Sequence, residues 1–322
     1  MPVIGSQYSK GGGEGSPSDS YLGRGSWQIS AGYRHQLSHR HFVGTVEQKQ
    51  RDAENSEVVN NINLFDFAAT YAINQRYNLT FSVPLFFASR YTQRTPDQVS
   101  HASGIGDMSF VGRMWLAKPP AENRQNVSIG LGIKLPTAAA GAKSTVNTPT
   151  GPVTRVVDQS IQPGDGGVGL IADVQAFKVV GKATLFTTGV YLFNPRNTNG
   201  VLTGRSRPSE AVMSVSDQYL LRAGAVLPFP KIRGLAFSIG ARGEGVPARD
   251  VFGKSDGFRR PGYSIAVDPG FIFSRGKDVW SFSLPVAVRR NRIRSVPDIL
   301  DNRHGDAAFA DYVLIFGYSR RL

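Results

Sequence analysis

The sequence predicts an all-β fold, a single closed antiparallel transmembrane β-barrel of about 12 strands with short periplasmic turns and long extracellular loops. Three observations carry this. Apolar and polar residues alternate with period 2 in segments of about ten to thirteen residues, the links between segments alternate between short and long, and aromatic residues collect at the short-turn ends of the apolar faces.

The segments lie near 25–36, 62–73, 77–88, 105–117, 126–137, 166–178, 182–194, 214–227, 235–246, 262–273, 279–290 and 308–322. The clearest is Val279 to Arg289, where Trp280, Phe282, Leu284, Val286 and Val288 share one face and Ser281, Ser283, Pro285, Ala287 and Arg289 the other. Asn78 to Ala88 repeats it with Leu79, Phe81, Val83, Leu85 and Phe87, and Val127 to Pro136 with Val127, Ile129, Leu131, Ile133 and Leu135. In 182–194 Thr187 and Thr188 blur the alternation. A strand with one fully apolar face suits a wall that meets lipid, and an even strand count suits antiparallel closure.

Asn74-Gln75-Arg76, Lys118 to Gln125, Val179 to Gly181, Pro228 to Gly234 and Ser274 to Asp278 are short links, whereas 37–61, 89–104, 138–165, 195–213, 247–261 and 291–307 are long. Outer-membrane barrels turn tightly in the periplasm and loop widely outside. A soluble sandwich has no reason to sort its loops by parity. Loops 37–61, 138–165 and 195–213 are therefore expected at the cell exterior and both termini in the periplasm. Tyr71 and Tyr77 bracket one short turn and Phe273 and Trp280 another, while Trp27 and Tyr318 sit near the two ends of the barrel segment, as an interfacial girdle requires.

Of the 322 residues, 40% are hydrophobic and 19% charged, and none is Cys, which excludes disulfides, a thiolate zinc site and a cysteine nucleophile. The formal charge of +13 is spread in small groups such as Arg259-Arg260, Arg289-Arg290 and Arg320-Arg321, so no nucleic-acid module is visible. No uncharged apolar run approaches the roughly 18 to 20 residues of a membrane helix. Residues 1–24 read as a flexible Gly- and Ser-rich arm without the apolar stretch of a signal peptide, and 25–322 as the barrel; export implies a signal removed or upstream of Met1.

If the apolar faces meet lipid, the opposite faces line the lumen. The inward set is Arg34, Asp66, Asp107, Arg113, Lys134, Asp173, Arg222, Arg242, Glu244, Asp268, Arg289 and Asp311, balanced in sign. Such a set either forms paired networks that close the barrel or a path for solute, with Arg113, Arg222, Arg242 and Arg289 suited to an anionic or aromatic solute because guanidinium pairs with carboxylate and stacks on rings.

Catalysis finds little support. His35, His39 and His41 would share one side of an extended chain, but a metal site would need Asp52 or Glu54 to converge on them, and no metal or cofactor is expected. No Ser is identifiable as partner to His35, the strand-borne histidine, as a barrel phospholipase would require. Gly164 to Gly169 and Gly11 to Gly13 lack the Lys-Ser/Thr or helix of a phosphate cradle and read as a loop-to-strand bend and a tail.

The last strand places Tyr312, Leu314, Phe316, Tyr318, Arg320 and Leu322 on one face up to the final residue, which resembles the terminal signal of barrels inserted by the outer-membrane assembly machinery; Leu322 stands where Phe is usual. Gly104-Ile105-Gly106-Asp107, Gly132-Ile133-Lys134-Leu135-Pro136-Thr137, Tyr71-Ala72-Ile73 leading into Leu79 to Pro84, Asp268-Pro269-Gly270-Phe271, and Leu284-Pro285-Val286 onward to Asn291 carry a resemblance to the outer-membrane barrels of the MetA-pathway of phenol degradation family. It extends from about Trp27 to the end of the chain. The resemblance implies an outer-membrane transporter with a link to aromatic breakdown. The expected function is thus a porin-like channel or transporter for small solutes, aromatic or anionic, in the bacterial outer membrane, with lipid and the assembly machinery as partners. The alternative is a non-transporting structural or adhesive barrel whose long loops are the functional surface.

Overall fold

The computed structural model describes residues 22–117 and 124–322, so most of the amino-terminal arm and of the 118–125 turn lie outside the described residues. The wall consists of 12 strands. They are β1 (Trp27–Val43), β2 (Val58–Ala72), β3 (Tyr77–Thr92), β4 (Thr95–Ile105 and Ser109–Trp115), β5 (Gln125–Lys134) and β6 (Gly169–Val180). These continue as β7 (Ala183–Phe193), β8 (Gln218–Pro228), β9 (Leu235–Val246), β10 (Gly262–Val267 and Gly270–Arg275), β11 (Asp278–Ser283 and Val286–Arg292) and β12 (Ala307–Arg321). Each pairs with its sequence neighbours, and β12 returns to β1 from Gln28↔Arg321 to Phe42↔Ala307, closing the barrel. Closure satisfies every strand edge, a condition for crossing a bilayer.

The outward faces are those the alternation marks. Leu131 is 76% exposed, and Phe67, Leu79, Phe110, Ile129, Leu221, Phe271, Val286 and Phe316 are exposed with it around the circumference. An apolar belt of this extent suits lipid and not water. Aromatic pairs tie the belt together near the short turns: Trp27 to Tyr71 with ring centroids 4.9 Å apart, Phe273 to Trp280 at 5.6 Å and Trp280 to Tyr318 at 5.6 Å. The 74–76 turn is fixed by Asn74, whose Oδ1 accepts from the N–H groups of Arg76 and Tyr77.

Two expectations about the wall are corrected. The 89–104 link is not a loop, because β3 runs to Thr92 and β4 starts at Thr95, pairing through Ala88↔Ala102 and Thr92↔Thr95. Arg289 is exposed and faces outward beside Ile265. A β-bulge causes this: Ala266 pairs with Ala287 and Ile265 with Arg289, so Val288 is the extra residue and parity reverses beyond it. Arg290 and Arg292 take the inner face instead, bonded to Asp311 and Asp298.

The inner face is more apolar than a purely charged lumen. Trp115 packs on Phe177, and Phe186, Val226 and Ile272 form a second cluster, both toward the short-turn end. Loop 138–165 is extracellular by parity yet dips into the barrel, where Val157 and Ile161 pack on Ile62, Leu64, Phe86, Ala88 and Ala102 of β2, β3 and β4. Its outer part is a hairpin, Lys143–Thr148 with Gly151–Val156. The glycine bend at its end is real: Gly166 has φ of 77°, and a Cβ there would lie 2.9 Å from Ala140 Cβ.

Candidate functional site

Strands β1, β8, β9 and β10 aim long side chains at the same level of the lumen. Arg34 Nη2 donates to Glu244 Oε1 at 2.7 Å and Arg242 Nη2 to Glu244 Oε2 at 2.9 Å, so one carboxylate holds two guanidiniums. Next to it Arg222, 1% exposed, pairs with Asp268, which also accepts from Ser283 Oγ at 2.7 Å. Across the lumen Arg113 Nε donates to Asp173 at 2.6 Å, and Lys134 Nζ joins Asp107 at 3.3 Å and Asp165. Asp66 is buried at 1% exposure. Asp311 lies further out and accepts from Arg40 and Arg290, each at 2.6 Å. The structure thus brings Arg34, Arg242 and Glu244 together, and separately Arg222 with Asp268, Arg113 with Asp173, and Lys134 with Asp107. Pairing offsets the desolvation each charge suffers inside the wall.

On the extracellular side of this layer lies a cavity of about 170 Å³. Arg34, Arg242 and Glu244 border it below, Met213, Tyr219, Leu220, Tyr263, Ala266 and Val313 contribute apolar and aromatic wall, and Gln159, Ser160 and Gln162 come from the inward loop. A largely apolar chamber with a few convergent polar groups is the usual build of a small-molecule site.

The roof is cross-linked by ion pairs between loops. Arg260 donates to both oxygens of Asp158, at 2.7 and 2.8 Å, while Arg259 Nη1 reaches Asp250 of its own loop at 2.7 Å. Gln159 Nε2 donates to the carbonyl of Ser214 at 2.8 Å, and Asn199 Nδ2 to that of Asp165 at 3.0 Å. Burial opposes ionisation of Asp158, but Arg260 and Arg90 beside it outweigh that and hold its carboxyl well below the usual range. Asp298, the N3 residue of the short helix Val296–Leu300, is likewise held low: the Ser295 N–H and Arg292 outweigh its burial.

No protein-family model matches the chain, and no curated protein does. Solved structures do. The chain is similar to the COG4313 outer membrane channel from Pseudomonas putida F1, with a TM-score of 0.61 at 13% identity, covering 94% of this chain and 97% of that one. It also aligns with the CymD monoaromatic hydrocarbon channel (TM-score 0.46, 11% identity, 99% and 93% covered) and with the Pseudomonas putida toluene transporter TodX (0.46, 8%, 99% and 98%). The first of these likenesses shows the fold. It is a closed, 12-stranded antiparallel β-barrel.

The histidines part company. The β1–β12 pairing shifts register twice, and the second shift, between Ser38 and Arg40, inserts an extra residue in β1 that breaks the alternation that would align them. His35 shares a hydrogen bond with Asn63, His39 with Glu57, and His41 with the carbonyl of His39. Among the described residues no group of three or more His, Asp or Glu side chains is placed to hold a metal.

Sequence reasoning missed the roof. Arg90, Arg205, Arg259, Arg260, Arg292 and Arg303 all reach carboxylates inside the extracellular half. The doublet Arg259-Arg260 was the visible signal, but its acidic partner Asp158 lies about a hundred residues away in the chain.

Proposed function

We propose that this protein is an outer-membrane channel or transporter for small solutes, aromatic or anionic, and that the cavity between the Glu244 layer and the loop roof is where the solute dwells. The carrying observation is that cavity: apolar atoms make up most of its lining surface, polar side chains such as Gln36, Gln159 and Gln162 are interspersed with them, and Arg34 and Arg242, sharing Glu244, present cationic groups at its inner end. A small ring carrying one polar or negative group matches both features. The motif resemblance to the MetA-pathway of phenol degradation family points the same way for the solute class.

The test is solute uptake by reconstituted vesicles, with Ala266→Trp as the blocking variant. Ala266 is buried on the cavity wall directly across from Arg242 on β9, so an indole there fills the chamber beside the Glu244 layer, and the melting temperature reports whether the ion pairs survive it. Uptake of small aromatic solutes that the variant abolishes, with its melting temperature preserved, supports the reading. Equal uptake by both proteins refutes the cavity as the path.

A second reading has its own observation. The Trp115–Phe177 and Phe186–Val226–Ile272 clusters fill part of the lumen on the short-turn side, as a sealed barrel acting through its loops would require. A barrel silent to every solute in the same vesicles favours that alternative.

A further inference from the structure

A second cavity, of about 260 Å³, opens among the extracellular loops. Its wall carries six arginines, Arg51, Arg90, Arg205, Arg260, Arg292 and Arg303, against the carboxylates of Glu210 and Asp306. Counting the acidic partners just behind the wall does not restore balance. Asp158 alone faces three guanidiniums: Arg260 holds it bidentately at 2.7 and 2.8 Å, while Arg90 and Arg205 stand off at 3.6 and 4.0 Å. Asp298 serves both Arg292 and Arg303, and Glu210 serves both Arg205 and Arg303. Elsewhere in the lumen the pairing is tighter, as with Arg113 and Asp173 at 2.6 Å.

Two further observations point to a missing anion. Arg292 has a buried Nε with no hydrogen-bond acceptor, and Arg303 Nε has only Asp301, which at 3.8 Å lies beyond hydrogen-bond reach, although a buried guanidinium normally satisfies its donors. And Phe258, itself buried, has the guanidinium of Arg205 over its ring at 3.8 Å and that of Arg260 at 4.7 Å, which holds two planar forks in place before any ligand arrives. Burial together with the like charge of Arg260 pushes the Arg205 guanidinium down to about 10, the direction that crowded cations without enough counter-charge produce.

The cavity adjoins the solute chamber. Asn60, Ser160, Arg260, Ala307 and Ala308 line both. We infer that this arginine cavity is a binding site for a small organic carboxylate, taken up at the loop end and held by Arg90 and Arg205 before it reaches the chamber beneath. A carboxylate supplies one acceptor oxygen to Arg205, held over Phe258, and one to Arg90, fixed by its bonds to Asn60 and Ser160, and its organic body extends toward the chamber. This names the solute class of the proposed channel and rests on that reading for passage, though not for binding.

The test therefore measures binding without transport. The full chain in detergent micelles is titrated calorimetrically with benzoate at neutral pH, with benzyl alcohol as the uncharged comparator and inorganic phosphate as the competing anion. The expected result is saturable benzoate binding, no saturable heat from benzyl alcohol, weaker binding of phosphate, and a loss of about tenfold or more in benzoate affinity for Arg205→Gln, partly restored in Arg205→Lys. Arg90→Gln is the second variant if Arg205→Gln does not fold. Absence of benzoate binding, equal binding of benzyl alcohol, or unchanged affinity in the folded variants overturns the site. Phosphate binding as tight as benzoate overturns the organic carboxylate. Because none of these readouts needs an open pore, binding by a barrel that transports nothing would leave this site standing while the channel reading fell.

Discussion

Replacing Arg222 with Ala separates a lumen held by paired charges from one flooded by water. The Arg222 and Asp268 side chains are 1% and 0% exposed, and after the change Asp268 keeps its bond from Ser283 Oγ at 2.7 Å but loses its cation. Stranding a buried carboxylate costs about 3 to 5 kcal/mol, and the lost guanidinium contact with Phe186, at 5.3 Å, adds to that. The double variant Arg222→Met with Asp268→Leu removes the stranded charge as well, so it should recover at least about half of the loss. Reversible denaturant unfolding in lipid vesicles reads both free energies. A loss below about 1 kcal/mol for Arg222→Ala, with nothing regained in the double variant, would mean that water reaches Asp268 and solvates it, and the dry paired layer would be wrong.

Leu131→Arg and Val286→Arg place a charge on the lipid face and should each destabilise by about 2 to 4 kcal/mol near the midplane, whereas Ser264→Arg, on the cavity wall, should cost less; equal losses on unfolding would reject the inside–outside register. Ser283, which the strand pattern also offers as an inward control, is unsuitable because it is buried against Asp268. For topology, an impermeant thiol reagent on intact cells should label Thr150→Cys at the exposed hairpin tip and spare Lys277→Cys in the short turn; the reverse pattern would invert the barrel. Asp158 and Asp298 have folded pKa values below their unfolded ones, so the stability they contribute is present above the ordinary carboxylate value near pH 4 and is lost as pH falls through the lower folded values. The melting-temperature gap between the parent protein and Asp158→Asn should therefore close only below about pH 4, and a gap that closes near neutrality would contradict the ion-paired roof.

The barrel was legible because lipid imposes one rule on every strand that crosses it. In segments such as 78–88 and 127–134 every outward position is apolar, and they appear in β3 and β5. Where strands project beyond the bilayer the rule lapses. Thr95 to Ser103 carries no apolar face, because its outer side meets water and its inner side, at Ser100 and Ala102, is covered by loop 138–165 and not by lipid, and so it reads as loop although it is paired β-structure. The inward position of Arg222 or Glu244 follows from parity, but parity fails one residue past a bulge, and Arg289 lies just beyond one. The roof was illegible for a different reason: its ion pairs, such as Arg260 with Asp158 and Arg303 with Glu210, join residues roughly a hundred positions apart in loops of no regular period.

On the function proposed above, the cavity bordered by Arg34, Arg242 and Glu244 is a station on a solute path through the membrane. Osmotic swelling of proteoliposomes tests it directly, with arabinose, phenylalanine and benzenesulfonate as solutes of graded charge and aromaticity. The account predicts faster swelling than protein-free vesicles with the aromatic solutes, a smaller effect with arabinose, and a return to the protein-free rate when Ala266→Trp fills the chamber. Swelling at the protein-free rate with all three solutes, from barrels shown to be folded, would contradict it.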